Sequence, residues 1–203
     1  MFLEQLFLDV IIVIISTCLN EVQQNREEHK KKYYGKKKLS VNIKVEIIES
    51  SNKQHRYILS KQWDNIKPMV TVLTLYPSSS DLVGDDMTMM LITKNVYKLG
   101  YGGFYSVNLY SKYDIDKKNY KKATNVDNDY HIVECVKNTS EVIFACGSLP
   151  SKNKQVAKRL YEIIQVLEDN HLQQKLRYLT DEYQEINFHP LASQVRSQWL
   201  LKN

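Results

Sequence analysis

The stretch from Met69 to Asp86 constrains the fold of this chain more than any other. Residues 70–75 form a short apolar run rich in β-branched side chains, which is typical of a strand buried in a parallel sheet. A loop of small hydroxyl and acidic residues follows, and apolar spacing over residues 89–99 then predicts a helix. A buried strand that leads through a polar loop into a helix opens a β-α-β unit. The sequence therefore predicts an α/β fold with a site beside the end of this strand.

The same alternation continues along the chain. The segment Gly100–Gly103 is predicted to stop the first helix, because its glycines permit a left-handed cap. Further strands are predicted at residues 104–109, 141–145 and 176–179, and further helices at 127–138 and 151–167. Upstream, residues 45–49 and 56–60 flank a polar turn, which predicts an antiparallel hairpin. We therefore expect a three-layer α/β/α domain with a mainly parallel central sheet, preceded by this hairpin.

Capping residues predict where the two later helices begin. Asp127 and Ser151 are side chains that favour the N-cap position, and each precedes an apolar periodic segment. In the first of these helices, Tyr130, Val133 and Val136 are predicted to face the core.

Residues 1–38 are predicted to be an extension that precedes a single domain over residues 39–203. The apolar run Val10–Ile15 is short, and the preceding Glu4 and Asp9 are unfavourable for a signal peptide or a membrane span. A membrane anchor, an ordinary helix and an upstream extension of the true reading frame remain open for this segment. A cytoplasmic protein without membrane contact is the preferred interpretation.

The charge of the chain permits a polyanionic partner without requiring one. The net charge is +5, of which residues 1–38 carry +2 (seven Lys/Arg and five Asp/Glu), so the remainder carries +3. A mildly basic domain can meet a phosphate, but this balance alone does not indicate a nucleic-acid binder. The three cysteines lack metal-ligand or disulfide-scaffold spacing, and no GxxxxGK[ST] motif occurs. We expect neither a metal nor another cofactor.

Polar residues, together with a proline and a glycine, follow the predicted parallel strands at the point where each strand ends. Because ligands of such sheets bind beyond the carboxyl ends of the strands, we expect these residues to share one pocket. The ligand-binding candidates are Tyr76, Pro77, Ser78, Asn108 and Gly147, and Asp81 and His189 join them in the same loops. For Ser78 and Asp81, capping of the next helix and phosphate binding both remain open.

Seven short motifs in fixed order resemble one family. Their order is similar to that of an uncharacterised bacterial family, the domain of unknown function numbered sixteen forty-three, over about residues 44–193. That family carries no settled activity to transfer. The motifs are Arg56–Trp63, Leu75–Asp81, Asp85–Thr88, Gly100–Gly103, Val107–Leu109, Ala145–Gly147 and His189–Leu191.

A more remote resemblance concerns the uracil-DNA glycosylase superfamily. A Pro-containing loop after the first buried strand, an Asn at the end of a later strand and a late His-Pro loop occur in the same order in both. The resemblance implies a glycosylase-like fold, in which the loop of Tyr76 and Pro77 positions a water. It also implies that Asn108 reads a flipped base and that His189 stabilises the departing base.

Tyr76 departs from both family patterns, which have Asn or an acid at this position. A phenol offers no amide, and near pH 7 it is not a carboxylate base. If the protein is a glycosylase-like enzyme, the general base has to come from Asp81, Asp85 or Asp86. Binding without catalysis is equally compatible with the residues.

Three functions remain open, and a nucleic-acid or nucleotide-binding module is preferred. In it, the four lysines after the strand of Asn108 hold phosphates, and neighbouring tyrosines stack on bases. The alternative is a hydrolase of an N-glycosidic bond that uses Asp81, Asp85 and His189. A protein-interaction module without a small ligand is third. The four lysines are Lys117, Lys118, Lys121 and Lys122.

Overall fold

The computed structural model describes residues 15–29, 40–77, 84–113, 115, 120 and 123–203. Residue contacts divide the chain into two units, residues 1–41 and 42–203. In the first unit, residues 15–29 form helix α1, whose side chains are exposed, while most of the apolar run and the Lys-rich run lie outside the described residues. Within the described part of the chain, no helix is both long and apolar enough to cross a membrane.

Across the described residues of the second unit, seven strands form one mixed sheet in the order β1-β2-β4-β3-β5-β6-β7. The strands are β1 Lys44–Glu49, β2 Arg56–Gln62, β3 Met69–Thr74, β4 Gly103–Asn108, β5 Val142–Phe144, β6 Leu176–Thr180 and β7 Leu200–Lys202. The four central strands, β4-β3-β5-β6, pair in parallel. The α/β class, the parallel centre and the antiparallel β1–β2 hairpin are confirmed. The sheet as a whole is mixed rather than mainly parallel, because antiparallel pairs flank this centre on both sides.

Helices cover both faces of the sheet. Successive side chains of a strand point to opposite faces, so neighbouring residues of β3 pack in different core clusters. Val72 packs in one core cluster with Met89, and Leu73 lies in another with Ile132 and Ile163. The first cluster therefore belongs to α2, and the second to α3 and α5. The helices are α2 Met87–Lys98, α3 Val126–Lys137, the short α4 Leu149–Lys152 and α5 Lys154–Asp169.

Parallel pairing brings the last residues of β3, β4, β5 and β6 to one edge of the sheet, here called the carboxyl edge. The opposite edge, where these strands begin, is the amino edge. At the carboxyl edge the backbone pairing of β3 and β4 continues beyond the strands. The Leu109 N–H donates to the Thr74 carbonyl at 2.9 Å, and the Tyr110 N–H donates to the Leu75 carbonyl at 2.9 Å. The strand ends are therefore firmly positioned.

Both predicted N-caps are wrong by two residues. Asn125 caps α3, and Asp127 lies in the first turn, where its charge favours the helix dipole. Asn153 caps α5 by accepting from two backbone N–H groups, while Ser151 lies in α4. Asn125 lies two residues before Asp127, and Asn153 lies two residues after Ser151. In both cases the side-chain oxygen of the Asn accepts the capping hydrogen bond. Of the glycines that permit a left-handed cap after α2, Gly100 has the left-handed φ, at 90°.

Two aromatic residues lie where the pattern did not place them. Tyr130 was predicted to face the core, but it is 63% exposed, because Ile132, Val133 and Val136 fill the inner face of α3. Trp199 is only 2% exposed and precedes β7, a strand that the sequence pattern did not predict. A three-residue strand is too short to produce a recognisable period.

Candidate functional site

A cavity of about 170 Å³ opens at the carboxyl edge on the face covered by α2, and we call it the α2-side cavity. This volume is below the roughly 300–1,000 Å³ that is typical of pockets for drug-sized ligands, so the cavity admits one small group. Its apolar walls include Met89 and Ile92 of α2. Its polar lining residues are Arg56, Thr74, Tyr76, Asp86, Thr88, Ser106 and His189.

A second, more open space of about 380 Å³ adjoins the α2-side cavity. We call it the Gly147 recess, because Gly147 and Cys146 form its wall at the end of β5. Tyr76, His189 and Leu191 line both spaces. A ligand with a small head and a larger body can therefore occupy both at once.

Ser106 of β4 lines the α2-side cavity, and Asn108 is buried beside Thr74, another lining residue. Ser106 and Asn108 are two positions apart and point to the same face of the sheet. The Thr74 hydroxyl donates to Asn108 Oδ1 at 2.8 Å. Among the described residues, neither the Ser106 hydroxyl nor Asn108 Nδ2 has a hydrogen-bond partner, although both are buried. Each such group costs about 1–3 kcal/mol of stability, which a ligand that bonds to it would recover.

The end of β4 is held in place from the opposite face of the sheet. Asn128 Nδ2 donates to the Asn108 carbonyl at 2.9 Å, and Arg159 Nε donates to the Leu109 carbonyl at 3.0 Å. The Arg159 guanidinium is in turn fixed by both carboxylate oxygens of Asp129. These contacts fix the backbone of Asn108 independently of any ligand.

Arg56 and Asp86 bring opposite charges to the α2-side cavity. Burial lowers the pKa of the Arg56 guanidinium, while Tyr113, Asp86 and Glu49 act in the opposite direction. An arginine stays protonated near neutral pH even when it is buried, so the cavity keeps a permanent positive charge. Asp86 is the N-cap of α2, and its Oδ1 accepts from the Met89 N–H at 2.8 Å. The helix therefore orients this carboxylate.

His189 enters the site as a neutral side chain. Its Nδ1 accepts from the Leu191 N–H at 3.3 Å, which places the ring proton on Nε2. Burial lowers the pKa of His189, and the Asp86 carboxylate only partly opposes this shift. Near neutral pH the imidazole therefore serves as a hydrogen-bond donor through Nε2.

Gly147 allows the His189 loop to dock against the end of β5. Its φ of 72° is left-handed, and a Cβ added there would lie 3.0 Å from the Cβ of His189. The Gly147 N–H donates to the Phe188 carbonyl at 3.1 Å. Beside it, burial raises the pKa of the Cys146 thiol to about 12, so this cysteine is not an activated nucleophile.

The structure brings part of the predicted site together. Tyr76, Pro77 and His189 line the α2-side cavity, and Gly147 lines the adjoining recess. Asn108 lines neither space, but it is buried directly beside the lining residue Thr74. The remaining candidates, apart from Asp85, lie outside the described residues. These are Ser78, Asp81, Lys117, Lys118, Lys121 and Lys122.

Asp85 has a different environment from the one expected of a catalytic acid. It forms an ion pair with Lys61, whose Nζ lies 2.5 Å from Oδ1 and 2.7 Å from Oδ2. Lys61 is only 7% exposed, and Asp85 is not among the lining residues of the cavity. Its neighbour Asp86 is the carboxylate that reaches the site. Among the described His, Cys, Asp and Glu residues, no group of three or more is placed to hold a metal ion.

Sequence reasoning did not identify Arg56, Thr74 and Ser106 as site residues. Arg56 opens the first of the seven motifs, which is the only signal that singles it out. Thr74 and Ser106 lie inside strands, where Thr and Ser are compatible with ordinary packing. Their role follows from the parallel register, which sets Thr74 opposite Asn108 and Val72 opposite Ser106.

Comparisons with known proteins give one clear match. The profile of the family described as "Protein of unknown function (DUF1643)" matches residues 56–191. No curated protein matches the chain. Among solved structures, carboxyl esterase 2 from the mycorrhizal fungus Tuber melanosporum has 10% sequence identity and a TM-score of 0.32. The aligned region covers 61% of this chain and 41% of the esterase. So low a similarity supports no inference about activity.

Proposed function

The chain belongs to the DUF1643 family, and we propose that it binds a nucleotide or a nucleic-acid strand at the carboxyl edge of its sheet. One base occupies the α2-side cavity, and the rest of that nucleotide extends into the Gly147 recess. The observation that carries this proposal lies near the end of β4, where the buried Ser106 hydroxyl and Asn108 Nδ2 have no hydrogen-bond partner within the described part of the chain.

A base matches the chemistry of the α2-side cavity. Its flat faces can lie against the accessible apolar lining residues Pro77 and Leu191, and its edges carry hydrogen-bond donors and acceptors. An Asn amide and a Ser hydroxyl are side chains that read such edges. The resemblance to the uracil-DNA glycosylase superfamily supports the same assignment, because it gives Asn108 the role of base reader. Lys117, Lys118, Lys121 and Lys122 remain the proposed phosphate contacts.

A hydrolase of an N-glycosidic bond is the second candidate. The observation that favours it is that Asp86 and the neutral His189 line the same cavity. In this reaction the Asp86 carboxylate takes a proton from water as the water attacks the sugar carbon. His189 Nε2–H stabilises the negative charge of the base as the glycosidic bond breaks. Asp85 is the poorer base, because Lys61 neutralises it.

Calorimetric titration with mononucleotides and single-stranded oligonucleotides at low salt tests the binding proposal. The Ser106→Ala variant should bind roughly 5- to 12-fold more weakly, because one hydrogen bond of about 1–1.5 kcal/mol is lost. Ser140→Ala is the matched control, since it removes a hydroxyl that bonds to the Met69 carbonyl at the amino edge. No heat or thermal shift with any of these ligands would show that the proposal is wrong.

Release of free base distinguishes the two candidates. Uracil-containing and damaged single strands are incubated with the protein, and the products are separated by chromatography. Free base formed by the wild type and absent with Asp86→Asn would support the hydrolase. Binding without release of base would leave only the binding module.

A further inference from the structure

β1 is the outermost strand on one side of the sheet. Within the described part of the chain it pairs with β2 alone, so its outer side carries backbone N–H and C=O groups that face no other strand. The pairing with β2 is regular from Lys44 to Ile48 and shifts in register at Glu49. An open and regular strand of this kind is able to pair with one further strand.

The segment around Val45 has the same chemical pattern in both directions. Residues 43–47, here called the outer segment, read Ile-Lys-Val-Glu-Ile. In an extended chain the three apolar side chains point to one face of the sheet and the two charged side chains to the other. Ile43 is 48% exposed, and Val45 and Ile47 are half-buried, so all three have apolar surface left to cover. A pattern of this symmetry is complementary to itself when two copies run antiparallel.

Antiparallel pairing of two outer segments about a two-fold axis at Val45 matches every side chain. It sets Ile43 opposite the partner subunit's Ile47 and Lys44 opposite the partner subunit's Glu46, and the symmetry repeats both pairs. Lys44 Nζ lies 3.0 Å from Glu46 Oε1 within one chain, and both side chains are exposed, so both charges are available on one face. A shift of the axis by one residue, to Lys44 or Glu46, sets like charges opposite each other, which is destabilising. The charges therefore select the register centred on Val45.

We propose that a second copy of this chain pairs antiparallel with the outer side of β1, centred on Val45, so that the two seven-stranded sheets become one continuous sheet. The interface is isologous, because each copy contributes the same outer segment. It is separate from the proposed nucleotide site, since the outer segment contributes no lining residue of the α2-side cavity or the Gly147 recess.

The oligomeric state of the full chain provides the first test. Analytical ultracentrifugation over a dilution series should show a monomer–dimer equilibrium for the wild type. Val45→Lys sets two ammonium groups opposite each other on the axis, so it should be a monomer at concentrations where the wild type is a dimer. Leu200→Lys is the matched control, because Leu200 is an exposed residue of β7, the outermost strand on the other side. A monomeric wild type, or equal dimerisation by the two variants, would overturn the proposal.

Exchange of charges tests the register. Lys44→Glu and Glu46→Lys each replace two attractive pairs by two like-charge pairs. The dissociation constant of the dimer should therefore rise by at least roughly 2- to 30-fold, the value for two lost cross-strand pairs. An equimolar mixture of the two variants restores opposite charges at both places and should form a heterodimer with about the wild-type affinity. A mixture that associates no more tightly than either variant alone would contradict this register and the proposal with it.

A cross-link at the two-fold axis provides a test that does not depend on charge. Residues opposite each other in antiparallel strands have Cα atoms about 4.5–5.5 Å apart, within the range that a disulfide spans. The exposed Cys18 is replaced by Ser, and the remaining Cys135 and Cys146 are buried. In this background, mild oxidation by air should link Val45→Cys into a covalent dimer and leave Leu200→Cys a monomer. Equal cross-linking of the two variants, or none in either, would show that the outer segments do not meet.

Discussion

The two edges of the central sheet differ in whether their polar groups are hydrogen-bonded. At the amino edge, Lys175 Nζ donates to the carbonyls of Val136, Lys137 and Thr139 at 2.9, 3.0 and 2.6 Å, which closes the C-terminal end of α3. Nearby, Arg177 Nε lies 2.8 Å from a Glu141 oxygen. These side chains complete one another's hydrogen bonds, so this edge stabilises the fold.

At the carboxyl edge, the Ser106 hydroxyl and Asn108 Nδ2 are buried without partners among the described residues. Side chains beside the starts of β5 and β6 are therefore hydrogen-bonded, whereas two buried groups near the end of β4 have no partner among the described residues. Under the proposed function, the carboxyl edge gives up some stability that a bound ligand would restore. Variants at corresponding positions of the two edges should separate effects on folding stability from effects on ligand binding.

The largest expected loss of stability is at the amino edge. Lys175→Met removes the charged donor of three carbonyls and the positive charge at the C-terminal end of α3, so the free energy of unfolding should fall by about 3 kcal/mol. Urea denaturation measures this change, and nucleotide affinity at low denaturant should stay the same. A large loss of affinity in this variant would contradict the separation of the two edges.

Two glycines with left-handed φ provide the next comparison. Alanine at such a position costs roughly 1–2 kcal/mol, so Gly100→Ala at the amino edge and Gly147→Ala at the carboxyl edge should both be destabilised. A Cβ at Gly100 meets no atom within 4 Å, whereas one at Gly147 meets His189. Only Gly147→Ala should therefore weaken nucleotide binding in a calorimetric titration. Equal affinities would show that the placement of His189 does not matter.

Two hydroxyl deletions should change stability with opposite signs. Thr71 and Thr139 are buried and share a hydrogen bond of 2.9 Å towards the amino edge, so Thr71→Val should cost about 1 kcal/mol. Ser106→Ala removes a buried hydroxyl without a partner among the described residues, and it should stabilise the free protein by about 1 kcal/mol. Chemical denaturation of both variants checks the signs. A destabilised Ser106→Ala would mean that this hydroxyl has a partner in solution.

The smallest expected effect is a pH dependence at the carboxyl edge. Burial depresses the pKa of His189 in the folded state, so the unfolded chain binds more protons below its ordinary pKa of about 6.5. Stability should therefore be complete above this pH and should decrease as the pH falls through the window below it. The loss should be smaller in His189→Gln but not absent, because His55 and His131 have pKa values lowered in the same direction. Thermal denaturation between neutral and mildly acidic pH measures the difference.

Local sequence patterns predicted the individual strands and helices better than they predicted which strands pair with one another. The strands β3 and β4 and the helix between them have a strong period, and the structure places them within one or two residues of the prediction. The pairing of β2 with β4, which sets Leu59 opposite Ser106, is a long-range contact that leaves no local period. That register brings Arg56 to the carboxyl edge, so its place in the site followed only from the structure.

The candidate site was predictable in its location but not in its composition. The rule for parallel sheets placed Tyr76, Asn108 and His189 at one edge without any knowledge of their contacts. The choice between Asp85 and Asp86 depends on a Lys61 that lies in a different strand. Sequence alone cannot tell which of two adjacent carboxylates such a lysine neutralises. The same limit applies to Ser106, because a missing hydrogen-bond partner is a property of three-dimensional packing.

The continuation of backbone pairing beyond β3 and β4 has a consequence for how the protein opens. The amide protons of Leu109 and Tyr110 are bonded to the carbonyls of Thr74 and Leu75, within the most buried part of the sheet. They should exchange with solvent deuterium only when the central strands separate, which requires cooperative opening of the core. The carboxyl ends of β3 and β4 are then among the last parts of the protein to open. A ligand therefore meets a receptor surface already in place and has little of it to order on arrival.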